Sequence, residues 1–328
     1  MSRERLTVVL PRRLPEPVET AMAALCDLVK REDERPMSRD EMIAAVRQAD
    51  VLVPTMAERI DAPFLAEAGA RLRLIANFGA RVDHIDLAGA RRRGILVTHA
   101  PDIATGDIAD MAMTLILALT RRFPEGRALI RANEWAGWSP AGPLGRRLDG
   151  RCLGILGMGR VGQALARRAR AFGMDIHYHN RNPVPDAIAE ELGATCWPSL
   201  DQMAARVDVM SVNCPATPGT FRLMNARRLA LMKPGAVIVS TALGEVVDEV
   251  ALTRMLRAGR LAGAGLDIRD ADTGFNPRLR ALDNVVLLPN MGAATLEGRI
   301  ETGKRVIASI AAFAEGLAVP DRADAAAP

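Results

Sequence analysis

Apolar residues fall in short aliphatic blocks separated by stretches of helical period, and that alternation predicts an α/β chain built on parallel sheets. Strands are expected at Leu6–Leu10, Val51–Pro54, Leu72–Phe78 and Ile95–Val97, with helices over Val18–Lys30 and Ala62–Ala68 between them. A nearly continuous apolar run, with Ile108, Met111, Met113, Leu115, Ile116 and Leu119, predicts a buried helix over Asp107–Arg122 that crosses between domains or makes a subunit contact. The turn-rich segment Trp135–Pro143 then gives way to a fresh series. It comprises strands at Cys152–Leu156, Asp175–Asn180, Val207–Val212, Ala236–Ser240, Gly263–Asp267 and Val285–Leu288, with helices over Arg160–Phe172 and Glu249–Ala258.

A final helix, Leu296–Glu315, follows a sheet that is already complete. It is therefore expected to return to the first domain, making that domain discontinuous: residues 1–99 with 291–328, around a central domain of 100–290. The tail Val319–Pro328, rich in Ala, Asp and Pro, reads as frayed. A length of 328 residues is ample for two cores, and 49% hydrophobic with 25% charged residues excludes a disordered chain.

Charge changes the picture little. The net +4 comes from Arg scattered through predicted helices (Arg121, Arg122, Arg167, Arg168, Arg170), and 3% aromatics leaves few stacking partners, so no nucleic-acid surface is expected. No apolar run reaches a membrane span, and Leu6–Leu10 is too short for a signal-peptide core. Cys26, Cys152, Cys196 and Cys214 lie far apart without a CxxC pair, which fits a cytoplasmic protein with reduced thiols. Of the histidines, His84, His99, His177 and His179, only the last two share a strand face, and two ligands without a third give no metal site.

The strongest motif is Gly157-Met-Gly159-Arg160-Val161-Gly162, directly after the apolar strand Leu153–Leu156 and opening a helix. Gly157 suits the tight turn, Gly159 lets backbone approach a pyrophosphate, and Gly162 lets helix and strand pack closely. The helix N-terminus offers unpaired N–H groups to the phosphates. An acid at the end of the next strand would bond both ribose hydroxyls and repel a 2′-phosphate. Here Asn180 stands 23 residues after Gly157, followed by Arg181. That pair favours NADP(H), with NAD(H) the second choice; alternatively Arg181 simply points to solvent.

These residues resemble the D-isomer-specific 2-hydroxyacid dehydrogenase family, nearest its glyoxylate/hydroxypyruvate reductase branch. The resemblance is carried by Asn77–Asp86, Leu153–Gly162, Ser211–Pro218, Glu245–Asp248 and Gly263–Asp267, in that order over nearly the whole chain. It implies a Rossmann doubly wound parallel sheet plus a discontinuous flavodoxin-like α/β substrate domain, a homodimer, and reduction of small 2-keto acids. It also implies that Cys214 and Pro215 border the adenine while Thr241, Ala242 and Asp267 face the nicotinamide.

The family's catalytic Arg, Glu and His positions are altered. Arg grips the substrate carboxylate and polarises the keto oxygen, His protonates that oxygen, and the carboxylate orients His. Here Leu243 stands in the Arg position, Asp272 in the Glu position 29 residues on, and Asn290 in the His position 18 further. Asn donates no full proton near neutral pH. The loop that in the family reads Gly-x-Gly and holds the carboxylate on backbone N–H groups reads Gly79-Ala80-Arg81. Arg81 either restores the lost guanidinium from the other side of the cleft or faces outward. His99 is a weaker candidate acid, better read as structural. Three functions follow: an oxidoreductase of altered or weakened chemistry, an inactive dinucleotide-binding or sensing module, or an enzyme whose substrate lacks a carboxylate.

Overall fold

The computed structural model describes residues 5–242, 246–267 and 276–323. The chain divides into two compact units, residues 1–104 with 295–328 and residues 105–294.

The first unit runs β1 (Thr7–Val9), α1 (Glu16–Leu25), β2 (Asp27–Val29), α2 (Arg39–Val46), β3 (Val51–Leu52), α3 (Ala62–Glu67), β4 (Leu74–Ala76), α4 (Leu87–Arg92) and β5 (Leu96–Thr98). Its parallel sheet has the order β2-β1-β3-β4-β5, the flavodoxin-like order. Strand alternation sends Val9, Leu52, Ile75 and Val97 into one core with Phe64, Leu65 and Met42. Val8, Val51, Leu74 and Ala76 enter the other, with Val18 and Met22 of α1.

The second unit opens with α5 (Thr105–Thr120) and α6 (Phe123–Arg131) and continues through β6 (Cys152–Leu156), α7 (Arg160–Ala171), β7 (Asp175–His179), α8 (Asp186–Leu192), β8 (Ala194–Cys196) and α9 (Leu200–Ala204). Then come β9 (Val209–Val212), α10 (Ala226–Leu231), β10 (Ala236–Ser240), α11 (Glu249–Arg257), β11 (Leu261–Asp267), α12 (Pro277–Arg280) and β12 (Val285–Leu288). The sheet order is β12-β11-β10-β9-β6-β7-β8, all parallel. This is the doubly wound α/β class read from the sequence. Helix α5 lies directly on β11, because Gly263 and Gly265 leave room there: a Cβ on Gly265 would meet Leu115 Cβ at 3.1 Å. The last helix, α13 (Leu296–Glu315), packs on α1 and β4 of the first unit. Gly303 makes that approach close, since a Cβ there would overlap Val18.

Several expectations are corrected. Val18–Lys30 is not one helix: α1 stops at Leu25 and the chain enters the edge strand β2. Helix α5 ends at Thr120, not Arg122, because Arg122 turns left-handed at φ 51° and opens α6. It packs on α7, β10 and β11 of its own unit. The C-terminal tail is not frayed throughout. Arg322 bridges antiparallel to Thr98, and the Ala323 N–H donates to the Val97 carbonyl at 2.8 Å, extending the open edge of β5.

Candidate active site

In the second unit the chain leaves β6 toward β7 and β8 on one side and later returns through β9 to β12 on the other. The carboxyl ends of β6 and β9 therefore flank the switch point at which open α/β sheets bind ligands. The glycine motif lies there. Gly157 has φ 100°, and a Cβ on it would sit 2.7 Å from the Cys214 nitrogen. This brings the backbone of Cys214, the residue after Asn213, against the turn. Gly159 has no atom within 4 Å of its would-be Cβ, so its outer side is open. A Cβ on Gly162 would overlap the Gly157 carbonyl oxygen and come within 3.1 Å of Ile155 Cγ2. Gly157 and Gly162 are thus each required by a different neighbour, while Gly159 borders open space.

Helix α7 begins after Gly159 with no side chain capping its first turn, leaving those N–H groups for a ligand. The cradle fits a dinucleotide pyrophosphate. Arg160 is exposed at its rim and Val161 half-buried behind it. Asn180 follows β7, and its Oδ1 accepts the Met158 N–H at 2.7 Å, tying the strand end to the glycine turn. Gly157 N–H donates to the His179 carbonyl at 3.1 Å, a second tie from β7. Arg181 is exposed and forms no ion pair among the described residues.

The opposite flank is held by Asn213, which the sequence reading missed. Its N–H donates to the Leu156 carbonyl at 2.8 Å, and its Oδ1 accepts from Thr241 Oγ1 at 3.4 Å. Its position directly after β9 at the switch point was the available signal. Thr241 and Ala242 follow β10, where the Ala242 N–H meets Ser240 Oγ at 3.3 Å. Burial pushes the Cys214 thiol up to about 11, so it is a neutral apolar wall at physiological pH. Pro215 continues the same loop, and its carbonyl accepts from Thr220 Oγ1 at 2.7 Å.

Asp267 ends β11 nearly buried, at 5% exposure. Its carboxylate accepts the N–H groups of Met291 at 2.7 Å and Gly292 at 2.6 Å, fixing the turn that carries Asn290. Burial raises its pKa, and those backbone donors offset part of the rise. Asn290 sits at φ 54°, a left-handed conformation that Asn and His both tolerate. Leu243 and Asp272 lie outside the described residues.

In the first unit, the loop after β4 contains Arg81, whose exposed guanidinium pairs with Asp83 at 2.8 Å. Buried Asn77 donates its side-chain amide to the carbonyls of Gly79 and Arg81, at 2.9 and 2.8 Å. His99 contacts the Ala80 carbonyl through Nδ1 at 2.8 Å. The two strand histidines make no metal cluster: His177 Nδ1 accepts from Trp197 Nε1 at 2.8 Å, and His179 Nδ1 meets the Trp197 carbonyl at 2.8 Å. Among the described residues no three His, Cys, Asp or Glu side chains are grouped to hold a metal, and no helix is long and apolar enough to cross a membrane.

With this geometry in place, residues 113–292 match the family described as D-isomer specific 2-hydroxyacid dehydrogenase, NAD binding domain. A glyoxylate reductase of Thermococcus onnurineus is 39% identical over 317 residues, covering 95% of this chain and 94% of its own length. The TT0316 protein of Thermus thermophilus superposes with a TM-score of 0.88 at 38% identity, covering 97% of this chain and all of that one (100%). The NADPH-dependent glyoxylate/hydroxypyruvate reductase of Sinorhizobium meliloti, solved with NADP and malonate, superposes with a TM-score of 0.81 at 31% identity over 98% of each chain. The chain belongs to the D-isomer-specific 2-hydroxyacid dehydrogenase family, and its central unit is built to take a nicotinamide dinucleotide.

Proposed function

We propose that this protein is a reductase of small 2-keto acids that prefers NADP(H) to NAD(H), and that its turnover is lowered by Leu243 and Asn290. The observation carrying the reading is the Gly157–Gly162 cradle at the switch point, with no acid at Asn180 and an exposed Arg181 beside it. The bound dinucleotide supplies the hydride. The chain's own groups hold and polarise the acceptor. Arg81 and the backbone N–H groups of its loop take the substrate carboxylate, by charge-assisted hydrogen bonds. Asn290 donates a hydrogen bond from its amide to the keto oxygen but keeps its protons, so the proton that completes reduction comes from water. With Asn at 290, the acid at Asp272 has no imidazole at that position to orient.

Losing one preorganised donor to a developing oxyanion costs ~2.7–4 kcal/mol elsewhere, and two such positions are altered here. Turnover of glyoxylate and hydroxypyruvate is therefore weak or absent while dinucleotide binding is retained. The test is consumption of NADPH against keto acids, aldehydes and imines. Turnover of aldehydes or imines alone favours an enzyme on non-carboxylate substrates, and binding without any turnover favours a sensing module.

We further propose a homodimer. No side chain of α6 is buried, and Phe123, Ile130, Trp135, Trp138 and Leu144 are exposed within one short stretch, Trp138 at 84%. A second copy covering that stretch is expected to appear as a dimer mass in light scattering. A monomer that Trp138→Asp leaves unchanged speaks against it.

A further inference from the structure

In the loop after β4 three successive carbonyls are held by hydrogen bonds. The Gly79 carbonyl accepts from the Ala100 N–H at 2.9 Å and from Asn77 Nδ2 at 2.9 Å. The Ala80 carbonyl meets His99 Nδ1 at 2.8 Å, and since a carbonyl only accepts, that nitrogen carries the hydrogen. The Arg81 carbonyl accepts from Asn77 Nδ2 at 2.8 Å. In a planar trans peptide the C=O of one residue and the N–H of the next point in opposite directions. Three pinned carbonyls therefore turn the N–H groups of Ala80, Arg81 and Val82 away from the pins. None of the three has an acceptor among the described residues. These are the donors that the proposed function assigns to the substrate carboxylate.

We propose that His99 is the positioning residue of this loop: its Nδ1–H fixes the Ala80–Arg81 peptide so that the Arg81 N–H faces the bound carboxylate. His99 is itself seated by backbone, because its N–H donates to the Asp321 carbonyl at 3.0 Å, beside the bridge between Thr98 and Arg322. Asp321 is in turn paired with Arg305 of α13 at 2.9 Å. The imidazole thus hangs from a fixed point at the end of β5. Without it the Ala80–Arg81 peptide loses its pin and is free to rotate. Asn77 fixes the neighbouring peptides and does not replace it.

The inference rests on the reading of this loop as the carboxylate holder, and one experiment separates the two. Oxalate is titrated calorimetrically into the full-length protein saturated with NADPH, for wild type, His99→Leu and His99→Asn. Leucine keeps a similar shape without a donor. Asparagine places an amide nitrogen on Cγ, where imidazole carries Nδ1. Loss of one hydrogen bond to a charged group weakens binding by about 10- to 100-fold, and that loss is expected for His99→Leu. His99→Asn is expected to stay within about threefold of wild type, with NADPH affinity the same in all three. Oxalate affinity unchanged in His99→Leu, or equally lost in His99→Asn, overturns the positioning role. No oxalate binding by wild type overturns the carboxylate reading itself and this inference with it.

Discussion

Replacing Asp267 by Ala is expected to destabilise the central unit by about 2–4 kcal/mol. The carboxylate is 5% exposed and accepts two backbone N–H groups, from Met291 at 2.7 Å and Gly292 at 2.6 Å. Hydrogen bonds to a charged group contribute ~1.5–3 kcal/mol each, and an orphaned buried donor costs ~1–3 kcal/mol. The Gly292 N–H is buried and would be orphaned, whereas the part-buried Met291 N–H can turn to water. Removing the cost of burying a charge offsets some of the loss, and the balance is the figure above. Asp267→Asn should recover only part of it, because the new amide sets a donor against a donor.

All three tryptophans (Trp135, Trp138 and Trp197) lie in the second unit, so the urea transition followed by their fluorescence reports on it alone. The sign with pH is also fixed. Burial raises the Asp267 pKa above its unfolded value, so between those two values its contribution to stability falls as pH rises, and Asp267→Ala abolishes that slope. A change under about 0.5 kcal/mol, within the range of ordinary surface substitutions, would refute the claim that this carboxylate holds the Asn290 turn.

Three further outcomes are expected. Gly162→Ala should weaken NADPH binding and lower the melting temperature together, because its Cβ overlaps the Gly157 carbonyl oxygen; calorimetry and fluorescence melting check it. Arg181→Ala should lower NADPH affinity by about tenfold, as for other charge-assisted phosphate contacts, while leaving NADH affinity alone, and equal wild-type affinity for the two cofactors would sink the preference. His177, with its pKa lowered chiefly by burial and also by Lys233 against the opposing pull of Asp175, contributes stability that is present above about pH 6.5 and lost as pH falls through its folded value. His177→Asn, which keeps an acceptor for the Trp197 indole N–H, should flatten that dependence in the urea midpoint.

The parts legible in the sequence were those whose signal is local and strong. The strands Cys152–Leu156, Ala236–Ser240 and Val285–Leu288 and the helix Leu296–Glu315 have the observed bounds, since each is a continuous or strictly periodic apolar run with clear ends. The glycine motif was legible because Gly157 and Gly162 each have a steric reason and Gly159 leaves the turn open. Strand β2 was lost because it is only three residues long on a sheet edge, two exposed around a half-buried Leu28, so it merged with the helix before it. Helix α2 went unassigned although Ser38 and Glu41 form a capping box, a signature readable at that spacing. Asn77 and Asn213 were illegible as supports, and His99 was read as structural without its partner, for a different reason. Their partners are single atoms of other segments, such as the Leu156 carbonyl and Thr241 hydroxyl for Asn213 and the Ala80 carbonyl for His99, which no residue pattern announces.

The initial rate of NADPH oxidation with glyoxylate and hydroxypyruvate, compared between wild type and Leu243→Arg/Asn290→His, tests the central claim most directly. The left-handed backbone at 290 accepts His, so the double variant can fold as the parent does. Wild type is expected to bind NADPH but turn over either keto acid weakly or not at all, with the double variant faster by about 10²–10³-fold. Brisk turnover by the unmodified protein, unchanged by the double substitution, would contradict the account.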